Sequence, residues 1–195
     1  MKKVFISQRV DFIGEERRDS YSQEWSDLAQ ACNFLPIFIP NNINLAKKMI
    51  MEIKPEAIIL TGGNDLVEYG GTALERDIVE KYMIDYAEKN NIPLLGVCRG
   101  MQMILNYYGI RLEKVNGHVR TNHVLTNDVE VNSFHNWAAK NGNEIIKVIE
   151  RSEDGCIEEI EHVLHCNIHG IMWHPERYKP FRDGDLIFVR RCLKI

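Results

Sequence analysis

Cys98 stands between two glycines in Gly96-Val97-Cys98-Arg99-Gly100-Met101-Gln102, directly after the apolar run 93–97 and directly before a stretch of helical spacing that closes at Gly109. A strand that turns abruptly into a helix brings its own backbone segments close together, so residues without side chains are needed beside the tip. The tip residue itself is held in a sparsely populated conformation. A thiol placed there lies at a helix N-terminus, where the dipole and the free N–H groups favour negative charge and therefore the reactive thiolate. Alone, such a cysteine is better explained as a small buried core residue, as most free cysteines are. Two further patterns change that. Trp173-His174-Pro175-Glu176 sets an imidazole and a carboxylate two residues apart with a proline fixing the backbone between them, so the carboxylate can hold the ring in one tautomer and support its charged form. Gly62 and Gly63 follow another apolar run, and their N–H groups can point into a crevice as donors to an oxyanion. A thiol nucleophile, an oriented acid–base group and oxyanion donors together describe nucleophilic attack on a carbonyl, a reaction that calls for no metal and no cofactor.

These groups need a scaffold, and the hydrophobic pattern supplies one. The runs 3–7, 34–39, 56–60 and 93–97 read as buried strands. Between them lie helical patterns over 21–33, where Tyr21, Trp25, Leu28, Ala29 and Cys32 share a face, over 45–53, and over 76–89. Strands alternating with helices predict an α/β fold with a mainly parallel sheet. After Gly109 the pattern changes to short strands at 110–115, 128–131, 144–150, 155–161 and 169–173, a smaller antiparallel or mixed portion. A loop holding Gly117, His118 and His123 joins the first two of these, and a short helix over 185–190 closes the chain. Arg9 and Asp11 lie just beyond the first strand, where open α/β sheets bind ligands. The segment 15–19 reads as a charged loop or helix start; its Arg17 and the following Arg18 belong either to a solvated surface or to a lid that meets an anionic group. Asp77 and Glu80 suit the start of their helix and could brace the Gly62-Gly63 loop.

With 195 residues, the chain is expected to form one domain over 1–195. A net charge of −4 argues against general binding to nucleic acid or an anionic membrane surface. No apolar run approaches the roughly 20 residues of a membrane span, and Met1-Lys2-Lys3 leads straight into a strand without a leader pattern. Five cysteines, at 32, 98, 156, 166 and 192, show no paired spacing, which predicts a reducing, cytoplasmic setting. His162, His165, Cys166 and His169 are close in sequence but match no standard zinc spacing, and alternation along a strand would scatter them over both faces.

The chain resembles the class I glutamine amidotransferases, and within them the γ-glutamyl hydrolase branch. The resemblance rests on Thr61-Gly62-Gly63-Asn64-Asp65, Arg76-Asp77, the elbow from Gly96 to Gln102, Val131-Asn132-Ser133-Phe134-His135, Asp154-Gly155-Cys156-Ile157-Glu158 and Trp173-His174-Pro175-Glu176, in family order over most of the chain. It implies a flavodoxin-like three-layer sandwich. It also implies Cys98 as nucleophile, His174 as acid and base, Glu176 as its orienter, and the N–H groups of Arg99 and of the Gly62-Gly63 turn as the oxyanion hole. Gln102, Ser133 and Phe134 would hold the γ-glutamyl group of a small-molecule substrate, with His135 beside them. The loops between 10 and 20 and between 64 and 76 are shorter than is typical of the branch. In this the chain is similar to hydrolases of γ-glutamyl nucleotide amidates in capsule phosphoramidate synthesis, whose diphosphate would give Arg9, Arg17 and Arg18 a role. The alternatives are a γ-glutamyl-GABA-type hydrolase and a glutaminase component serving a separate partner synthetase. Assembly as a homo-oligomer is left open.

Overall fold

In a computed structural model describing residues 1–195, the first half of the chain alternates strand and helix. It runs through β1 (Lys3–Ser7), a hairpin of β2 (Arg9–Ile13) and β3 (Glu16–Ser20), α1 (Glu24–Cys32), β4 (Leu35–Ile39), α2 (Ile43–Ile53), β5 (Ala57–Leu60), α3 (Leu74–Asn90), β6 (Leu94–Val97) and α4 (Arg99–Tyr107). The second half is strand-rich: β7 (Glu113–Lys114), β8 (Val119–Val124), β9 (Glu130–Phe134), β10 (Trp137–Ala138), β11 (Ile146–Arg151), β12 (Ile157–His162) and β13 (Ile168–Ile171), followed by α5 (Asp183–Leu193).

Seven strands form one sheet in the order β11-β12-β13-β6-β5-β1-β4. From β4 to β13 every pairing is parallel, and β12 and β11 extend the sheet in antiparallel fashion. The predicted α/β fold, mainly parallel with a smaller antiparallel portion, is therefore present. Side chains alternate across it: Phe5, Ile58, Leu60 and Leu94 join a core with α2, α3 and α4, whereas Val4, Ile6, Ile59, Leu95 and Val97 pack with α1 and α5. Strands buried on both faces need such continuous apolar runs, and the result is three layers.

Several boundaries differ from the sequence reading. The segment 15–19 is neither loop nor helix start; most of it lies in β3, whose side chains are exposed apart from the half-buried Ser20. The loop carrying His123 is strand β8, paired with β9. The strand expected over 110–115 reduces to Glu113–Lys114, which pairs with β10. The helix expected from 45 begins at Ile43 because the Asn42 side chain accepts the Leu45 N–H at 3.0 Å and caps it. The closing helix spans Asp183–Leu193 rather than 185–190. No helix is long and apolar enough to cross a membrane.

Candidate active site

Adjacent parallel strands β5, β6 and β13 end at the same edge of the sheet, and each delivers one part of the site. β6 runs into Cys98, whose backbone is turned to φ 53° and ψ −106° before α4 begins. Its N–H donates to the Ile171 carbonyl of β13 at 2.7 Å, tying the turn to the neighbouring strand. The flanking glycines are dictated by contact: a Cβ on Gly100 would lie 2.1 Å from the Leu60 carbonyl oxygen, and one on Gly96 would lie 2.6 Å from the Gly100 backbone. As the first residue of α4, Arg99 has a backbone N–H with no acceptor in its own helix.

β13 leads to His174. The Asn132 side chain grips the histidine backbone on both sides, accepting its N–H at 2.7 Å and donating to its carbonyl at 3.0 Å. Nδ1 lies 2.6 Å from Glu176 Oε1, and both side chains are almost wholly buried. Burial works against the charged imidazole, yet Glu176 and Cys98 outweigh it and raise the pKa of His174 to about 9. Nε2 has no hydrogen-bond partner. A Cβ built on Gly62 would stand 2.8 Å from His174 Cε1, 3.6 Å from its Nε2 and 3.6 Å from Cys98 Cβ. The thiol and the imidazole thus converge on Gly62, at the end of β5.

The Gly62-Gly63 turn is held from behind by Arg76. Its guanidinium is fully buried and donates to the carbonyls of Thr61 at 2.7 Å, Gly62 at 3.1 Å and Gly63. With three successive carbonyls turned toward one cation, the turn is fixed with its N–H groups on the other side. Arg76 Nε in turn donates to Glu80 at 2.8 Å, and Glu80 also accepts from Arg99, which pairs with Asp77 as well. Burial and the neighbouring Arg99 lower Arg76 to about 10, with Glu80 opposing, so it stays a cation at neutral pH. The direct brace is Arg76; Asp77 and Glu80 support it from behind.

Gly63, Asn64, Cys98, Gln102, Phe134 and His135 line a cleft of about 220 Å³. A narrower one of about 20 Å³ adjoins it, between Arg9, Trp25, Gly62, His174, Glu176 and Arg177. Of the residues read from the sequence, Cys98, His174, Glu176, Gly62, Gly63, Arg99, Gln102, Phe134, His135 and Arg9 all border one of these clefts. Gln102 also donates to the Trp137 carbonyl at 2.8 Å, and Phe134 stands edge-on to His174 at 5.4 Å.

Three others do not border them. The fully buried Ser133 donates its hydroxyl to the His118 carbonyl at 2.8 Å and so holds the β8–β9 hairpin. Arg17 pairs with Glu75 and lies over Phe12, and Arg18 pairs with Glu16 at 2.6 Å. Both arginines are exposed on β3 and held in these ion pairs, away from the lining of either cleft. The sequence reading missed the roles of Asn132, Arg76 and Arg177. The first two lie in segments already singled out; Arg177 had no signal beyond its position after Glu176.

The profile of the family "Glutamine amidotransferase class-I" matches residues 16–191. The γ-glutamyl-CDP-amidate hydrolase of Campylobacter jejuni subsp. jejuni serotype O:2 is 34% identical over 171 residues, covering 83% of this chain and 82% of its own. A glutamine-hydrolyzing GMP synthase subunit from Pyrococcus abyssi is 30% identical over 168 residues, covering 79% of this chain and 84% of its own. Among solved structures, a Thermoplasma acidophilum protein described as a GMP synthase subunit superposes with a TM-score of 0.75 at 18% identity, covering 100% of this chain and 93% of that one.

Proposed function

This chain belongs to the glutamine amidotransferase class-I family, and from that premise we propose that it is a cysteine-dependent hydrolase of γ-glutamyl amide bonds. The observation that carries this reading is the meeting of Cys98 and His174 on Gly62, with Glu176 2.6 Å behind the imidazole. Cys98 gives its thiol proton to His174 Nε2 and its sulfur attacks the γ-carbonyl carbon, while the carbonyl electrons move to an oxyanion facing the N–H groups of Arg99 and the Gly62-Gly63 turn. His174 gives its Nε2 proton to the departing nitrogen as the C–N bond breaks, leaving a glutamyl thioester. Water, deprotonated by His174, attacks the thioester; glutamate leaves and the thiol is restored. Gln102 and Phe134 wall the pocket that takes the glutamyl group.

For the leaving group we propose a nucleotide diphosphate amidate. The substrate would be γ-glutamyl-CDP-amidate, the products cytidine diphosphoramidate and glutamate, and the setting capsule phosphoramidate synthesis. The 34% identical relative supports this choice, as does the placement of Arg9 and Arg177 at the rim of the narrower cleft. The cysteines, all free, support a reducing cytoplasmic location. The similarity to a GMP synthase component favours a second reading, a glutaminase that passes ammonia to a separate synthetase.

A panel of γ-glutamyl conjugates, from glutamine and amines to nucleotide amidates, separates the two when scored by glutamate release from the purified chain. Rapid cleavage of the nucleotide amidate without a partner is expected. Turnover confined to glutamine and stimulated by a second protein would give the second reading its place. Cys98→Ala is expected to abolish release while leaving the far-UV circular dichroism unchanged.

A further inference from the structure

A second cluster of buried polar groups lies behind the cleft wall and takes no part in the reaction above. His118 immediately precedes β8, His123 lies on it, His135 follows β9, and Glu158 lies on β12. One ligand atom from each stands within 4.8 Å of the others. His118, His135 and Glu158 are 3%, 3% and 0% exposed. Five atoms converge here without a hydrogen-bond partner: His118 Nδ1, His123 Nε2, His135 Nε2 and both oxygens of Glu158. Glu158 Oε1 lies 3.8 Å from His118 Nδ1 and 3.6 Å from His135 Nε2, too far for hydrogen bonds. A shared proton would satisfy two of the five atoms; a metal ion satisfies four ligands at once.

The opposite side of two rings fixes which nitrogen is free to bind. His118 Nε2 is 2.9 Å from Asp154 Oδ2, and His135 Nδ1 is 3.1 Å from the Trp137 carbonyl. A carbonyl only accepts, so His135 carries its proton on Nδ1 and presents a lone pair on Nε2; Asp154 imposes the matching tautomer on His118. Imidazoles backed by a carboxylate or a carbonyl are the usual surroundings of metal-bound histidine. Three imidazoles and one carboxylate suit zinc, whose ligand atoms at ~2.0 Å in a tetrahedron stand roughly 3.3 Å apart, so the side chains, now up to 4.8 Å apart, close in around the ion.

We propose that His118 Nδ1, His123 Nε2, His135 Nε2 and the Glu158 carboxylate bind one divalent transition-metal ion of the zinc class. Four protein ligands leave no open position, so the site is structural. It clamps the β8–β9 hairpin to the main sheet, and with it Phe134 and His135 of the cleft wall.

The test uses the full chain carrying Cys98→Ala, so that the thiol cannot bind the ion, stripped with a chelator and titrated with Zn²⁺ against a chromogenic competitor. One equivalent of tight binding is expected, with a rise in melting temperature and, on Co²⁺ substitution, the intense visible absorption of a tetrahedral site. His123→Ala and Glu158→Gln should each abolish tight binding. Asp154→Asn alters a half-exposed residue behind His118 and keeps the fold testable; it should weaken binding about 10- to 100-fold. Absence of stoichiometric binding in the parent protein, or equal affinity in the Asp154→Asn protein, would overturn the site.

Discussion

At His174 two opposing influences meet. Burial disfavours the imidazolium, and Glu176 together with Cys98 more than compensates, so the ring holds its proton to about pH 9 instead of its ordinary 6.5. A general acid must be protonated before it can donate, so kcat/KM is expected to fall as the pH rises through about 9. Glu176→Gln removes the main support of the charged ring. Its alkaline limb should move to lower pH, and its kcat should drop on the order of 10⁴-fold, as when an orienting carboxylate is neutralised in other triads. A pH–rate profile of both proteins decides it; an unmoved limb would separate Glu176 from the titration. Because the folded value lies above the unfolded one, this proton stabilises the fold fully below pH 6.5, and the contribution is lost as the pH rises through about 9. The melting-temperature gap between the two proteins should shrink over the same window. Gly62→Ala probes the same point sterically. Its methyl would stand 2.8 Å from His174 Cε1, a group already fixed by Asn132 and Glu176. Displacing the ring by about 1 Å should lower kcat on the order of 10²-fold with the protein still folded by circular dichroism.

Among the elements, α3 does more than its sequence announces. Its sequence offers Asp77 and Glu80 as helix-start acids or a brace for the Gly62-Gly63 turn; the structure buries both and adds Arg76 as the group that holds the turn's carbonyls. Arg76→Ala would leave Glu80 with one cationic partner and release three carbonyls, a loss of about 3–5 kcal/mol for breaking a buried pair, measurable by urea unfolding. Arg76→Lys keeps the charge but not the fork, so it should impair turnover more than stability. What was legible at this scale follows the apolar period. The strands ending at Leu60 and Val97 announce themselves because both their faces are buried. β3 does not, since Glu16, Arg17, Arg18 and Asp19 are all exposed and only backbone pairing with β2 makes them a strand. The His118, His123, His135 and Glu158 cluster was equally hidden, because 40 positions separate its ends and only the β8–β9 hairpin and β12 bring them together. The histidines that are close in sequence behave differently: His162 Nδ1 is occupied in accepting the N–H groups of Leu164 and His165, at 3.1 and 3.0 Å.

Across the whole molecule, reaction and recognition fall to different parts of the chain. The groups we propose for the reaction, Cys98, His174 and the N–H groups of Arg99 and the Gly62-Gly63 turn, sit at the ends of three central parallel strands, and their positions follow from the sheet and from glycines that admit no side chain. The rim is built from segments outside those strands: Arg9 from the start of the β2–β3 hairpin and Arg177 from the turn after Glu176. Arg9 is braced by Asp11 at 3.1 Å, and Arg177 lies over the Phe134 ring at 4.2 Å. This division yields a prediction that separates the two functions. If the rim holds a diphosphate, Arg9→Gln and Arg177→Gln should each raise KM for a γ-glutamyl nucleotide amidate about tenfold, the loss expected for one charge-assisted hydrogen bond. KM and kcat for an uncharged γ-glutamyl conjugate should stay within about twofold. Added salt should weaken the nucleotide substrate selectively, since partly exposed charges are screened. Equal losses on both substrates would mean that the arginines support the site itself, and the diphosphate reading of the leaving group would fall while the cysteine chemistry stood.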